Sequence, residues 1–556
     1  MSGESGRPLP LVTLATQFYW TSGADGRLRV QECSSCSGLV HPPKPICPFC
    51  RSPELTVRAV SGYAMLVGFT VNHRFGLPGL PPPYVVAQVA LEEDRRIRLS
   101  TRVVGADPEE LQLGMRMQVE FEAVEDVWLP LFRPTPEQPS PLSALPRDDV
   151  GPEQVRSLVR PMVRTRKFED DVAITGVGMS TIGRRLMVDP LSLTVQACVA
   201  AVADAGLTMD DIDGLASYPG GALDSGFGEG GVTALESALR LRPTWFNGGA
   251  ETAGPCGSVI AAMLAVSAGL AKHVLCFRTV WQSTHDELSK QGRITRAPGR
   301  IGGDTGWSAP FGGTSAAHVL AQSAGRHFHK YGTTRETLGW IALNQRANAA
   351  LNPTAIYREP LTMDDYLGAR MITTPFGLYD CDVPCDGAVA VVVSAVDTLG
   401  DLDCVPVRVE AVGTQIIERL EWDQSTSTHE PQVLGPAAHL WSRTDLRPDD
   451  VDVAELYDGF TFNCLSWIEA LGFCGLGEAK DFLDGGKNIA RDGTLPLNTH
   501  GGQLSHGRTH GMALLHEAIV QLRGTAGDRQ VEAAKVAVVS AGGLTPGGVL
   551  LLRSDR

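Results

Sequence analysis

The chain has 556 residues, 43% of them hydrophobic and 20% charged, with a net charge of −15. That length accommodates roughly two to four domains, the composition is that of a soluble globular protein, and the acidic balance argues against a general phosphate-backbone binder, which needs Lys and Arg to neutralise phosphates. No apolar run reaches the roughly 18 residues of a membrane span, and Met1-Ser2-Gly3-Glu4-Ser5 lacks the basic-then-apolar start of a signal peptide, so a cytoplasmic protein is expected.

Cys33-Ser34-Ser35-Cys36 and Cys47-Pro48-Phe49-Cys50 form two CxxC knuckles. Four soft thiolates on two short turns suit tetrahedral zinc, and a closed four-cysteine site has no open position for substrate, so a structural zinc is expected on Cys33, Cys36, Cys47 and Cys50. A redox role for one pair is the alternative reading. The remaining cysteines are too sparse for a disulfide scaffold. Residues 64–71, 84–91, 97–104 and 117–122 then read as short strands between Gly and Pro turns, the pattern of a small β-barrel. Residues 133–141 are proline-rich, hence an extended, semi-rigid linker.

From Val172 the pattern becomes α/β. Residues 172–178 are a buried-strand run ending in glycines, and 191–205 an apolar helix followed by Leu207-Thr208-Met209-Asp210-Asp211-Ile212-Asp213. The signature returns 239 residues later as Leu446-Arg447-Pro448-Asp449-Asp450-Val451-Asp452, after a strand candidate (405–412) and a helix-like stretch (435–442). Such an internal repeat implies two similarly folded halves. Residues 256–271 predict a small-residue helix fit for a buried layer, with a strand at 274–279; their counterparts are 512–523 and 536–540. The stretch richest in chemistry opens Glu455-Leu456-Tyr457-Asp458-Gly459-Phe460 and closes at residues 498–511, where His500, His506, Arg508 and His510 sit among glycines. Glycine permits close backbone approach to a ligand, and titratable groups in such a loop are candidates for acid–base work. A solvated polar loop is the plain alternative.

The knuckles, together with Phe69-Thr70-Val71-Asn72-His73, Pro83-Tyr84-Val85-Val86 and Leu129-Pro130-Leu131-Phe132-Arg133-Pro134, resemble the zinc-ribbon/OB-fold accessory proteins that accompany bacterial acyl-CoA thiolases, aldolases and hydratases. Leu378-Tyr379-Asp380-Cys381 through residues 386–393, Glu469-Ala470-Leu471-Gly472-Phe473-Cys474 and the loop 501–511 resemble sterol-carrier-protein-X type thiolases, and more closely the actinobacterial steroid side-chain aldolases. The resemblance implies an α/β chain with a duplicated thiolase fold (five layers, αβαβα) behind a rubredoxin-like zinc ribbon and an OB-fold β-barrel. The expected division is 1–55 ribbon, 56–134 barrel, 135–165 linker, 166–400 first thiolase-like half and 401–556 second half. OB-folds also bind nucleic acid, but no groove of aromatic and basic residues is evident, so nucleic acid is not an expected partner.

Thiolases of this type carry a nucleophilic cysteine at the start of the central helix, a histidine in His-Asp-x-Phe and another in Gly-His-Pro. The present sequence departs at each. Tyr457-Asp458-Gly459-Phe460 replaces the first histidine motif, and a tyrosine there matches the steroid aldolases, where it is taken as an acid/base; a phenol, with a pKa near 10, suits a proton donor. Gly507-Arg508-Thr509 stands at the second motif, where the aldolases carry another tyrosine. Arginine is no base, but it holds an oxyanion or lowers the pKa of Tyr457, which brings His510 or His506 into proton transfer; the His510-Gly511 pair matches the aldolase pattern. The thiolase cysteine falls near Thr252, and Cys256 lies one helical turn further on. Without that cysteine the fold can still stabilise a thioester enolate, as retro-aldol cleavage of a β-hydroxyacyl-CoA requires.

The expected catalytic residues are therefore Tyr457, Asp458, Arg508 and His510, with Thr252 and Cys256 in a nucleophile or oxyanion region. Gly501, Gly502 and His506 are expected against substrate, and Arg293, Arg296 and Arg300 against the CoA phosphates, with a solvated charged loop as the other reading of the three arginines. The expected function is an acyl-CoA aldolase, a carbon–carbon lyase releasing a ketone or aldehyde and a shorter acyl-CoA, with CoA as part of the substrate and a homodimer formed through the thiolase-like domain. The resemblance suggests a steroid side chain as the acyl group. The alternatives are a Cys256-dependent acyltransferase and a non-catalytic acyl-CoA or nucleic-acid binding scaffold.

Overall fold

The computed structural model describes residues 7–74, 76–136, 152–163, 165–219, 228, 231–294, 300–418, 429, 432–542 and 547–555. Arg296 and most of the expected linker lie outside the described residues. Strands Arg29–Cys33, Leu39–Val40 and Leu55–Ala59 form a small antiparallel sheet with the first in the middle, so the ribbon runs on to Ala59. Its knuckles close through Ser37 N–H to Cys33 O (2.8 Å) and Arg51 N–H to Cys47 O (3.0 Å), which turn each CxxC back on itself.

Strands Tyr63–Asn72, Tyr84–Leu91, Arg98–Val103, Val127–Pro134 and Arg116–Val124 neighbour one another in that order, and the last pairs back to the first, closing a five-stranded barrel. Tyr84–Leu91 is buried along its whole length, which a barrel wall facing water would not be. Helix Ala316–Tyr331 covers the outside of the first two strands, and the Tyr84 hydroxyl donates to Gly312 O at 3.2 Å. The short strand Met371–Thr373, from the α/β region, continues the barrel wall by pairing Thr373 with Asn72. Trp20 stacks on Trp307 with ring centroids 5.0 Å apart. The barrel is thus fastened to the α/β region by backbone pairing as well as packing.

Among the described residues nine strands make the larger sheet, in the order Trp245–Gly248, Gly214–Ser217, His273–Trp281, Asp386–Ala395, Val172–Met179, Val407–Gly413, Gly548–Ser554, Val536–Ala541, Val453–Glu455. Read outward from the Val172–Met179/Val407–Gly413 junction, the four strands of the second half follow the same sequence order as the first four of the first half, which adds Trp245–Gly248 at its edge, so the duplication is visible in the topology. The repeated Asp-Asp-x-Asp signature has a physical basis. Asp211 and Asp450 accept the backbone N–H of Thr208 and Arg447 (2.8 and 2.7 Å), closing a turn ahead of a strand. Asp213 and Asp452 accept the N–H groups that open the neighbouring strand, from Lys272 and His273 (2.9 Å each) and from Lys535 and Val536 (2.8 and 2.9 Å).

Helices Gly254–Ser267 and Met512–Arg523 lie between the two halves and pack against strands of both. Pro190–Asp204 covers one outer face and Leu434–Trp441 the other, which completes five layers. The first outer helix approaches so closely that a Cβ on Gly178 would fall 2.3 Å from Ala197 O. No described helix is long and apolar enough to cross a membrane.

Candidate active site

The two chemical stretches converge on a third. Tyr457–Phe460 follows strand Val453–Glu455, and the histidine loop folds beside it. Between them runs residues 381–385: Asp382 N–H donates to Gly459 O, Val383 N–H to Gln503 O, and Arg508 N–H to Val383 O, each at 3.0 Å. This strap fixes Tyr457 and Arg508 in one frame.

The loop is buried, not solvated: His500 is 2% exposed and His506 0%. Its polar backbone is satisfied from a distant helix, Arg335–Ala350, and the residues after it. Asn344 and Asn348 donate to Leu497 O (3.0 and 2.9 Å) and Asn352 to His500 O (2.9 Å). Asp458 accepts Gln503 N–H at 2.8 Å. At Gly502, with φ +57°, a Cβ would lie 1.9 Å from Asp458 Oδ2, so only glycine fits there. Burial pushes the Asp458 carboxyl up to about 6. Gly501, Gly502 and Asp458 therefore shape the loop. His506 faces Thr354 (3.3 Å) and His500 inside the protein rather than the cleft described below.

Tyr457 is 3% exposed. Its ring lies over Gly459, where a Cβ would be 2.9 Å from the hydroxyl, and it interacts electrostatically with Arg508. Arg508 reaches Asp382 Oδ2 through Nε at 3.0 Å and Gln282 Oε1 through Nη1 at 3.2 Å. His510 sits between two guanidiniums, Nδ1 2.6 Å from Arg278 Nη2 and Nε2 2.9 Å from Arg508 Nε. Burial and these two cations hold it well below the ordinary histidine range, so it is neutral. Arg278 lies 5.4 Å from the centre of the Tyr218 ring and donates to Tyr218 O at 3.2 Å. Arg278, Asp382, Gln282 and Tyr218 join the site although no sequence motif marks them. The signal for Arg278 was a single cation in an otherwise apolar strand run; Asp382 was hidden inside a stretch read only for family likeness.

Cys256 is 1% exposed within the central apolar core, and burial alone pushes its thiol up to about 12. That suits a small hydrophobe, not a nucleophile. Thr252 is half-buried and packs its hydroxyl against Gly257.

Above the strap opens a cleft of ≈ 820 Å³. Its walls carry Arg184, Arg346, Arg370, Arg508 and Lys290 from the α/β region and Arg74 from the barrel, with Tyr357, Tyr379, Ile372, Phe460 and Leu504 between them. Arg300 is elsewhere: it bonds Pro10 O and pairs with Glu125 (3.0 Å) and Asp126 of the barrel, so its role is to join the two units. Arg293 is exposed and does not line the cleft.

In the ribbon the four cysteine Sγ atoms lie within 4.8 Å of one another, with Cys33–Cys50 at 3.5 Å and Cys36–Cys47 at 3.7 Å. A tetrahedron with Zn–S near 2.3 Å has edges of about 3.8 Å, so the cage fits zinc in a structural role.

Fold and site together define a thiolase-like protein whose described site offers no reactive thiol. Three family descriptions match the chain: a ChsH2 rubredoxin-like zinc ribbon domain over residues 20–56, a ChsH2 C-terminal OB-fold domain over 57–122, and a thiolase C-terminal domain-like family over 425–549. A steroid side-chain-cleaving aldolase of Thermomonospora curvata is 34% identical over 69% of this chain and 98% of its own length. The 17-hydroxy-3-oxo-4-pregnene-20-carboxyl-CoA lyase of Mycobacterium tuberculosis is 34% identical over 68% of this chain and 98% of its own. The solved Ltp2-ChsH2(DUF35) aldolase superposes with a TM-score of 0.61 at 32% identity, covering 69% of this chain and 98% of that one. Human mitochondrial 3-ketoacyl-CoA thiolase, at 15% identity and a TM-score of 0.50, over 70% of this chain and 100% of its own, shares the fold. The chain belongs to the family of these thiolase-fold acyl-CoA aldolases, which are carbon–carbon lyases, and it carries the zinc ribbon and OB-fold domains in the same polypeptide.

Proposed function

We propose that the protein cleaves a β-hydroxyacyl-CoA by a retro-aldol reaction in the cleft, with a steroid side chain as the acyl group, and that Tyr457 is the acid that protonates the enolate. The observation that carries this reading is the cationic cleft that ends at Arg508, in electrostatic contact with Tyr457, where no described thiol is reactive. Arg74, Arg184 and Arg370 offer charge to the CoA phosphates, and the Arg508 guanidinium offers it to the enolate oxygen. His510, neutral between two cations, orients them and takes no proton from the substrate. The barrel supplies Arg74, which supports a role for it in shaping the substrate site.

The same reading takes the chain as a homodimer. The edge strand Trp245–Gly248 pairs on one side only among the described strands, and Phe246 on it is 64% exposed; such an edge is a ready template for a second copy. A cytoplasmic location accompanies the proposal. The test is incubation with a panel of β-hydroxyacyl-CoAs, including 17-hydroxysteroid 20-carboxyl-CoA thioesters, with products read by mass. A ketone or aldehyde and a shorter acyl-CoA, with no acylated protein, are expected. Thiolysis products or a covalent acyl-enzyme would overturn the reading.

A further inference from the structure

A retro-aldol step needs a base for the β-hydroxyl proton, and the groups singled out from the sequence do not suit that task. Arg508 accepts no proton. A proton added to His510 would face Arg278 and Arg508 at 2.6 and 2.9 Å. Tyr457, a phenol, is suited to giving a proton at neutral pH rather than taking one. Two carboxylates line the cleft. Asp286 has 49% of its side chain exposed, whereas Asp382 has 9% and meets Arg508 Nε at 3.0 Å.

We propose, resting on the retro-aldol reading above, that Asp382 is the catalytic base and that Arg508 passes from its carboxylate to the enolate oxygen as the reaction proceeds. Asp382 sits on the strap, its N–H bonded to Gly459 O, while its neighbour Val383 bonds Gln503 and Arg508, all at 3.0 Å. The carboxylate takes the β-hydroxyl proton; the O–H electron pair forms the ketone C=O; the Cα–Cβ pair moves into the thioester enolate. Tyr457 then donates its proton to Cα, and the proton on Asp382 returns to the tyrosinate. The sum is β-hydroxyacyl-CoA to ketone plus shorter acyl-CoA, with no other reactant consumed.

The electrostatics favour this hand-over. Negative charge starts on Asp382 and ends on the enolate, and Arg508 neutralises it in both places, so no unpaired charge is created in the buried site. Burial pushes the Asp382 carboxyl up to about 6, while Arg508 holds it from going further, which gives a base poised close to neutral pH. Arg508 faces it from the histidine loop, Cys381 and Cys385 with raised thiols lie on its own segment, and Arg74, Arg346 and Asp286 line the same cleft.

The test uses the full chain and three readings on wild type and Asp382→Asn: cleavage of the panel thioesters, its pH profile, and binding of propionyl-CoA, the thioester that C17–C20 cleavage would release. Binding transfers no proton, so it reports whether the site is intact. Cleavage should fall about 10²- to 10⁴-fold, the propionyl-CoA dissociation constant should stay within about threefold, and the acid limb of kcat/KM near pH 6 should vanish. Cleavage by Asp382→Asn within about threefold of wild type, or binding weakened in step with cleavage, overturns the proposal. If Asp382→Asn does not fold, Asp382→Glu carries the test: it should keep the acid limb at a lower rate, and loss of the limb overturns the assignment. A wild type that cleaves no panel member overturns the aldolase reading itself, whereas wild-type cleavage with an unaffected variant overturns only the role of Asp382.

Discussion

Cys256→Ala separates acid–base cleavage from covalent catalysis. An ordinary thiol with a pKa near 8.5 is a few per cent thiolate at pH 7. With Cys256 pushed up to about 12, the fraction falls to about 10⁻⁵, more than a thousandfold less nucleophile at equal substrate. Removing one sulfur from a fully packed site costs roughly 1–2 kcal/mol of stability through lost contact and a small cavity. The expected outcome is a kcat and KM within about twofold of wild type, with a melting temperature lowered by a few degrees. Steady-state cleavage, calorimetry and intact-protein mass under turnover check it together. A loss of more than a hundredfold in kcat at an unchanged melting temperature, with an acyl adduct on wild-type Cys256, would refute the reasoning.

Tyr457→Phe keeps the ring over Gly459 and removes the donor, so kcat should drop about 10²- to 10⁴-fold with little change in KM; retention of activity within fivefold removes Tyr457 from the chemistry. Arg74→Ala should raise KM for acyl-CoA at least several-fold, whereas Arg300→Ala, which breaks a partly exposed pair with Glu125 and Asp126, should leave KM alone and cost no more than about 1 kcal/mol; the reverse ranking would move the CoA site to the Arg300 side. Asp458 is held up at about 6 against an unfolded value near 4. The folded state therefore keeps this proton longer than the unfolded chain, and the stability Asp458 contributes is fully present below about pH 4 and declines as pH rises toward 6. Denaturant midpoints of wild type and Asp458→Asn between pH 4 and 7 should show that difference shrinking and then levelling; a difference that grows with pH contradicts the sign.

Local patterns in the sequence carry much of the architecture. The two knuckles bring their cysteines together because each CxxC turn closes within its own backbone, and the barrel strands follow from short apolar runs cut by glycine and proline. The duplicated Asp-Asp-x-Asp marks two halves because the same aspartates perform the same N–H capping in both. Tyr457 and Arg508 stand out because they occupy positions that the resemblance to the thiolase motifs marks.

What a side chain does at the site was decided elsewhere in the chain. His510 meets Arg278 across 232 residues, and Arg508 meets Asp382 across 126, so no window of sequence shows either pair. Cys256 and His506 look reactive in sequence and are silenced by burial, while Arg300 looks like a phosphate ligand and is consumed by acids of the barrel. The reason is electrostatic: the charge and proton affinity of a group are set by desolvation and by the nearest opposite charge, and both are properties of the packed chain rather than of its neighbours in sequence.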